Sequence, residues 1–203
     1  MISEKKSILE SAQRIFLQKG FYKTPLDEIA ADLKISKKTI YKHFCSKNEL
    51  VRKSLLNFME TNQQTVSELV SEETNAVEKC FCLFQFLSTM LATISDHFIH
   101  NIRDYMPDLW NEVDKIRTSI LYPNLKAIIE QGQREGFFIE IESELAITVF
   151  VTSIRGVLNP DVLISKQFSL VETARSIVEI LLGGILTEKG RTVFENLKTR
   201  NSQ

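Results

Sequence analysis

Between Lys37 and His43 the chain gathers donors that suit a polyanion: Lys37, Lys38, Thr39, Tyr41, Lys42 and His43. Lysine ammonium groups neutralise phosphates, while hydroxyl and amino groups reach base edges. As a helix, this segment can bury only Ile40 and Phe44, one turn apart. A helix held by one narrow apolar edge and cationic elsewhere suits the DNA major groove. The competing reading is a solvated lysine-rich face, and the neighbouring segments decide between the two.

Those segments must position the donors. Thr24 is expected to cap a helix whose first residue is Pro25, where a missing N–H costs nothing. Asp27 and Glu28 then favour the positive end of the helix dipole. Leu26, Ile29, Ala30 and Leu33 recur at helical spacing as one apolar stripe. Lys34 and Ile35 form a break, and Ser36 caps the next helix. Ser46, three residues before Glu49, makes a capping box that starts another. Upstream, Glu4 to Lys19 puts Ile8, Ala12, Ile15 and Phe16 on one face, and Gly20 is expected to end that helix with left-handed backbone. Phe21 and Tyr22 are expected to pack back onto the core. Helix, short turn, helix is the DNA-binding arrangement in which the second helix reads the groove. The candidate DNA-binding residues are therefore Thr24, Pro25, Ser36, Lys37, Lys38, Thr39, Tyr41, Lys42, His43 and Lys47. Lys37, Lys38 and Thr39 are the base-edge candidates; Tyr41, Lys42, His43, Thr24 and Lys47 are the phosphate candidates.

The run IAADLKISKKTIYKHFCSKNEL resembles the helix-turn-helix signature of the TetR family of bacterial transcriptional regulators. Tyr41, His43 and Phe44 closing the recognition helix, then Lys47 and Leu50, carry the likeness, which extends over about residues 5 to 52. The sequence departs from the family pattern at Lys34, where the turn often carries Gly. Left-handed backbone there would cost a lysine roughly 1 kcal/mol. Lys38 stands where many relatives have a small residue. The resemblance implies a homodimer on a palindromic operator, repression as the commoner mode, and a small-molecule effector that changes DNA affinity. A DNA-binding protein controlled by a protein partner, with no small-molecule inducer, is the rival.

Charge and composition agree. Residues 1–50 hold ten Lys or Arg against six Asp or Glu, although the whole chain has net charge −1. A basic end on an acidic body fits a protein that presents one end to nucleic acid. Three cysteines (Cys45, Cys80, Cys82) without a signal peptide read as reduced thiols and a cytoplasmic protein. No uncharged apolar run reaches the ~20 residues that span a bilayer, so no membrane partner is expected. Cys80 and Cys82 point to opposite sides of a helix. His97 and His100 lack further ligands at matching spacing. With no glycine-rich phosphate loop and no nucleophile elbow, the chain reads as a non-enzyme without catalytic residues, metal or cofactor.

The remaining segments predict further helices, and hence an all-α chain. Residues 1–46 form a three-helix DNA-binding domain. Residues 47–203 form a helical bundle that makes the dimer and a ligand pocket. The helix from Lys47 to about Val70 begins beside the DNA-reading helix. Val77 to Ile94 is apolar nearly all round and is expected at the bundle centre. A short segment from Asp96 ends at Met106–Pro107. Asp108 is expected to cap a long helix, kinked by Pro123 and loosened at its end by Gly132 and Gly136. A gap at that kink suggests an apolar pocket walled by Phe84, Met90, Tyr105, Met106, Trp110, Tyr122 and Phe150. Ser143–Leu158 and Leu170–Leu186 carry more apolar surface than one core can cover. The surplus suggests a subunit interface, with Phe150, Ile154, Arg155, Ile177 and Leu181 as candidates, and the resemblance implies a four-helix bundle across a two-fold axis. Asn159 to Lys166 reads as a loop, and the polar tail as a short docked helix.

Overall fold

The structure, a computed structural model, describes residues 3–157 and 170–201, and every regular element within them is an α-helix. The fold is all-α: α1 (Glu4–Lys19), α2 (Leu26–Asp32), α3 (Lys37–His43), α4 (Lys47–Ser71), α5 (Ala76–Ala92), α6 (Asp96–Tyr105), α7 (Pro107–Arg134), α8 (Ser143–Val157), α9 (Leu170–Ile185) and α10 (Glu188–Arg200). The expected Asn159–Lys166 loop lies outside the described residues. Among the described residues, no single helix is long and apolar enough to cross a membrane.

Two compact units divide the chain: Met1–Asn62 with Thr93–Ile116, and Gln63–Ala92 with Arg117–Gln203. The first unit therefore contains residues 1–46 together with the start of α4, all of α6 and the start of α7. Its core is the apolar edge of each helix: Ile8, Ala12 and Phe16 of α1, Ile29 of α2, Ile40 of α3, Leu50 and Val51 of α4, and Ile102 of α6. Phe16 meets Phe21 edge-on at 6.5 Å, and Phe21 meets Phe98 in the same way at 6.2 Å, a favoured aromatic geometry. The backbone N–H of Ser95 donates to the Leu17 carbonyl at 2.8 Å, which ties the start of α6 to the end of α1.

Four local expectations are corrected here. Gly20 has φ +77° but ψ 167°, an extended mirror-image backbone and not the left-handed helical one. Tyr22 does not join the core: it is 54% exposed and stacks face to face on Tyr105 with ring centroids 4.0 Å apart. Thr24 is not the cap of α2. That role falls to Pro25, without a side-chain bond, while the buried Thr24 hydroxyl donates to the Gly20 carbonyl at 2.7 Å. Helix α7 begins at Pro107, so Asp108 lies inside its first turn.

The second unit holds α5, α8, α9, α10 and the latter part of α7. Burial on α5 is confined to Ala76, Val77, Cys80, Leu83 and Phe84; Phe86, Leu87, Met90 and Leu91 stay half-exposed. An apolar circumference thus did not make α5 central, because its packed neighbours cover only its first half. Helix α7 runs unbroken through Pro123. Gly132 does not loosen it. It lies under the Phe138 ring, where a β-carbon would overlap the aromatic carbons. Gly136, at φ +73°, turns the chain instead. The segment after it is pinned by Ile139 N–H donating to Ile185 C=O at 2.8 Å and Thr187 N–H donating to Phe137 C=O at 2.9 Å. Glu135 accepts from the Ala76 N–H at 2.8 Å, so α7 satisfies an orphan donor of α5. Thr187 caps α10, and Phe194 docks edge-on against Phe81 at 6.0 Å.

Candidate nucleic-acid interface

The turn between α2 and α3 sets the interface. Lys34 N–H donates to the Ala31 carbonyl at 3.2 Å and Ile35 N–H to the Ala30 carbonyl at 2.9 Å. This is the paired bonding of a Schellman motif, whose special position needs left-handed backbone. Lys34 supplies it with φ +54°. The turn therefore keeps the geometry that glycine usually serves, with a lysine in the strained position.

Ser36 then caps α3, accepting from the Thr39 N–H at 3.1 Å. Ile40 and Phe44 are each 1% exposed and hold the helix by one edge. Lys37, Lys38, Tyr41 and Lys42 face solvent, Thr39 and His43 are half-buried, and Pro25 and Ser36 are exposed beside them. Tyr41, at 48% exposure, is a large apolar ring left outside with its hydroxyl. Ser46 and Glu49 form the expected cap of α4: Ser46 Oγ accepts from Glu49 N–H at 3.1 Å, and Glu49 accepts from Cys45 N–H at 2.6 Å. That backbone bond, aided by Lys53, holds the Glu49 carboxyl below its ordinary range.

The basic side chains of the interface fall into two groups. Lys38 and Lys42 have no side-chain partner among the described residues. Lys37, by contrast, donates to Asp27 at 2.8 Å, and His43 pairs with Glu4 at 2.6 Å. The Lys37 hydrogen bond holds the Asp27 carboxyl below its ordinary value, and Asp27 in turn raises Lys37. Lys47 donates to the Tyr22 carbonyl at 3.2 Å, and partial burial lowers its pKa. Thr24 spends its hydroxyl inside the fold, which leaves it poorly placed for a phosphate. Asp27 and Glu4 escaped the sequence reading as members of this surface. Asp27 is ten residues from Lys37 across a turn, a separation that no helical spacing rule pairs.

The pocket candidates separate. Phe84 and Phe150 meet at 5.2 Å and line a cavity of about 280 Å³ in the second unit. Leu125, Ile128, Phe138 and Val149 complete much of its apolar wall. Met90 and Tyr122 belong to the same unit but do not line this cavity, and Tyr105, Met106 and Trp110 belong to the first unit. Ring size drew attention to these residues. The cavity is instead walled mostly by aliphatic side chains that look like ordinary core in sequence.

The interface candidates divide as well. Phe150 is 7% exposed and turned against Phe84, so its ring faces its own subunit's core and not outward. Ile154, Ile177 and Leu181 are half-buried, and the exposed Arg155 donates to Thr118 Oγ at 2.8 Å. The exposed large apolar residues described on α8 and α9 are Leu145, Val149 and Ile180, the last 72% exposed, and all three also border the cavity. Cys80 is buried, which raises its thiol pKa and leaves it unreactive. Among the described residues no group of His, Cys, Asp or Glu could hold a metal ion.

Comparison with known proteins agrees with this geometry. Residues 8–53 match the family described as bacterial regulatory proteins, tetR family. An uncharacterised helix-turn-helix-type transcriptional regulator of Bacillus subtilis (strain 168), YvaF, is 25% identical over 185 residues, covering 91% of this chain and 96% of its own. A TetR-family transcriptional regulator from Agrobacterium tumefaciens superposes with a TM-score of 0.69 at 19% identity, over 90% of this chain and 97% of that one. The regulator FadR from Bacillus subtilis, solved in complex with stearoyl-CoA, superposes with a TM-score of 0.62 at 21% identity, over 88% and 98%.

Proposed function

We propose that this chain, whose residues 8–53 match the tetR family of bacterial regulatory proteins, is a homodimeric repressor of that family, released from a palindromic operator by a small apolar effector. The observation that carries the DNA-binding part is the mounting of α3. Ile40 and Phe44 fix one edge, and Lys38, Tyr41 and Lys42 project from the rest into solvent. Lys38, with Lys37 and Thr39, lies in the first turn of α3, the part of a recognition helix that contacts bases. Lys42, Tyr41, His43 and Lys47 lie towards its far end and the start of α4, suited to phosphates. Pro25 and Ser36 bring the starts of α2 and α3 to the same surface.

Support for the effector is the apolar cavity beside Phe84 and Phe150. A 280 Å³ space lies at the small end of ligand pockets. The FadR–stearoyl-CoA complex shows that a similar fold takes a ligand with a long apolar chain. Support for the dimer is the exposure of Leu145, Val149 and Ile180, which border the cavity and stay uncovered in the single chain. A two-fold dimer presents its two recognition helices to half-sites about 34–36 Å apart, or a multiple of that.

Footprinting on the DNA upstream of the protein's own gene, at low and moderate salt, tests the reading. The expected result is a protected palindrome that persists at moderate salt and shrinks or vanishes on adding an apolar ligand found by thermal shift. Lys38→Ala is expected to change the preferred sequence. Lys47→Ala is expected to weaken every duplex and lower the salt slope by about one. Equal loss on every sequence from both variants would overturn the assigned roles.

A further inference from the structure

We propose that Asp27 determines specificity: as an internal counter-ion it withholds Lys37 from DNA phosphates and leaves that lysine to a base edge. The inference rests on reading α3 as the recognition helix, and it assigns a role to a residue of α2 that carries the wrong charge for DNA.

The arrangement on α2 isolates this residue. Its carboxylates are Asp27, Glu28 and Asp32. Glu28 pairs with Lys19, and Asp32 accepts from Arg14 at 2.7 Å and Ser11 at 2.6 Å, all on α1. Asp27 alone among them turns to α3, where Lys37 Nζ lies 2.8 Å from its Oδ2. The pair is open to solvent, with side chains 46% and 65% exposed for Lys37 and Asp27. Lys38 and Lys42, on the same helix, have no such carboxylate.

Charge and donor count give the pair its effect. A phosphate that captured Lys37 would strand Asp27 uncompensated beside a polyanion, a like-charge contact that opposes binding. A base edge makes no such demand. The ammonium group has three N–H donors. One can stay on Asp27 while another reaches a neutral acceptor such as guanine O6 or N7. Lys37 thus contributes little to the sequence-independent phosphate attraction and keeps its capacity for base contact.

The test is binding of the full-length protein to a mixed-sequence duplex across a salt series, with Asp27→Asn, Lys37→Gln and the double variant. Freed from Asp27, Lys37 gains a phosphate. The salt slope of Asp27→Asn is then expected to steepen by about 0.9 per subunit engaged, with non-specific affinity near 0.15 M salt rising roughly fivefold per subunit. Lys37→Gln in the otherwise natural protein leaves Asp27 uncompensated and is expected to weaken binding to the duplex without steepening the slope; in the double variant it is expected to abolish the gain. Glu28→Gln removes the same charge from α2 beside a different partner, and its effect is expected not to depend on Lys37. An Asp27→Asn protein with an unchanged slope overturns the proposal, as does a gain that survives Lys37→Gln. A natural protein with no salt-dependent binding to any duplex would overturn instead the reading of α3 on which it rests.

Discussion

Asn101 closes over Gly20. Its side-chain oxygen accepts the N–H of Phe21 at 3.0 Å and of Tyr22 at 2.8 Å, and a β-carbon on Gly20 would stand 2.7 Å from that oxygen. Helix α6 thereby holds the bend between α1 and α2 by backbone bonds as well as by the Phe21–Phe98 ring contact. Asn101→Ala should destabilise the first unit by about 1–2 kcal/mol, since two donors lose their acceptor. Gly20→Ala should cost at least as much, because it adds a clash to a backbone that L-residues avoid. Urea melts followed by amide exchange at Phe21 and Tyr22 would check both.

Lys34 carries the left-handed turn at φ +54°. Lys34→Gly should relieve that strain and raise the unfolding midpoint slightly, by up to about 1 kcal/mol less the added flexibility of the unfolded chain. Lys34→Val should lower it by about 1 kcal/mol or more, because a β-branched side chain tolerates this backbone worst. If both variants melt with the natural protein, the turn stores no strain.

In the second unit, Gly132 and Gly136 are four residues apart and serve different ends. Gly132→Ala must displace the Phe138 ring and should cost about 1–3 kcal/mol of stability. Gly136→Ala has open space around its β-carbon, so only its positive φ matters, at about 1 kcal/mol. Thermal melts of the two variants should rank them in that order.

Acid should weaken the contact between α1 and α2. Ser11 and then Arg14 hold the Asp32 carboxyl below its ordinary 3.8. A carboxyl depressed on folding adds stability above its unfolded pKa and loses it as pH falls through the folded one, because the unfolded chain then binds more protons. The unfolding midpoint should drop as pH falls below about 4. In Asp32→Asn, measured over the same pH series, the drop should be smaller.

Local signals in the sequence determined most of the N-terminal architecture. The apolar stripes of α1 and α2, the Ser36 cap, the Ser46–Glu49 box and the Ile40–Phe44 edge all rest on residues within one or two turns of each other. Helix formation at this range needs little from the rest of the chain. The donor-rich face of α3 was legible for the same reason, since a seven-residue helix anchored by Ile40 and by Phe44 at its C-cap has one way to sit. Tertiary structure alone decided the contacts between distant segments. Asp27 met Lys37 because of the strained turn at Lys34. Asn101 found the bend at Gly20 from 80 residues away. Phe150 turned inward to Phe84, while Leu145, Val149 and Ile180 stayed exposed at the border of the same cavity. Hydrophobicity marked all of these apolar residues as buried candidates, and only the packing of one helix against another chose which side of each would face solvent.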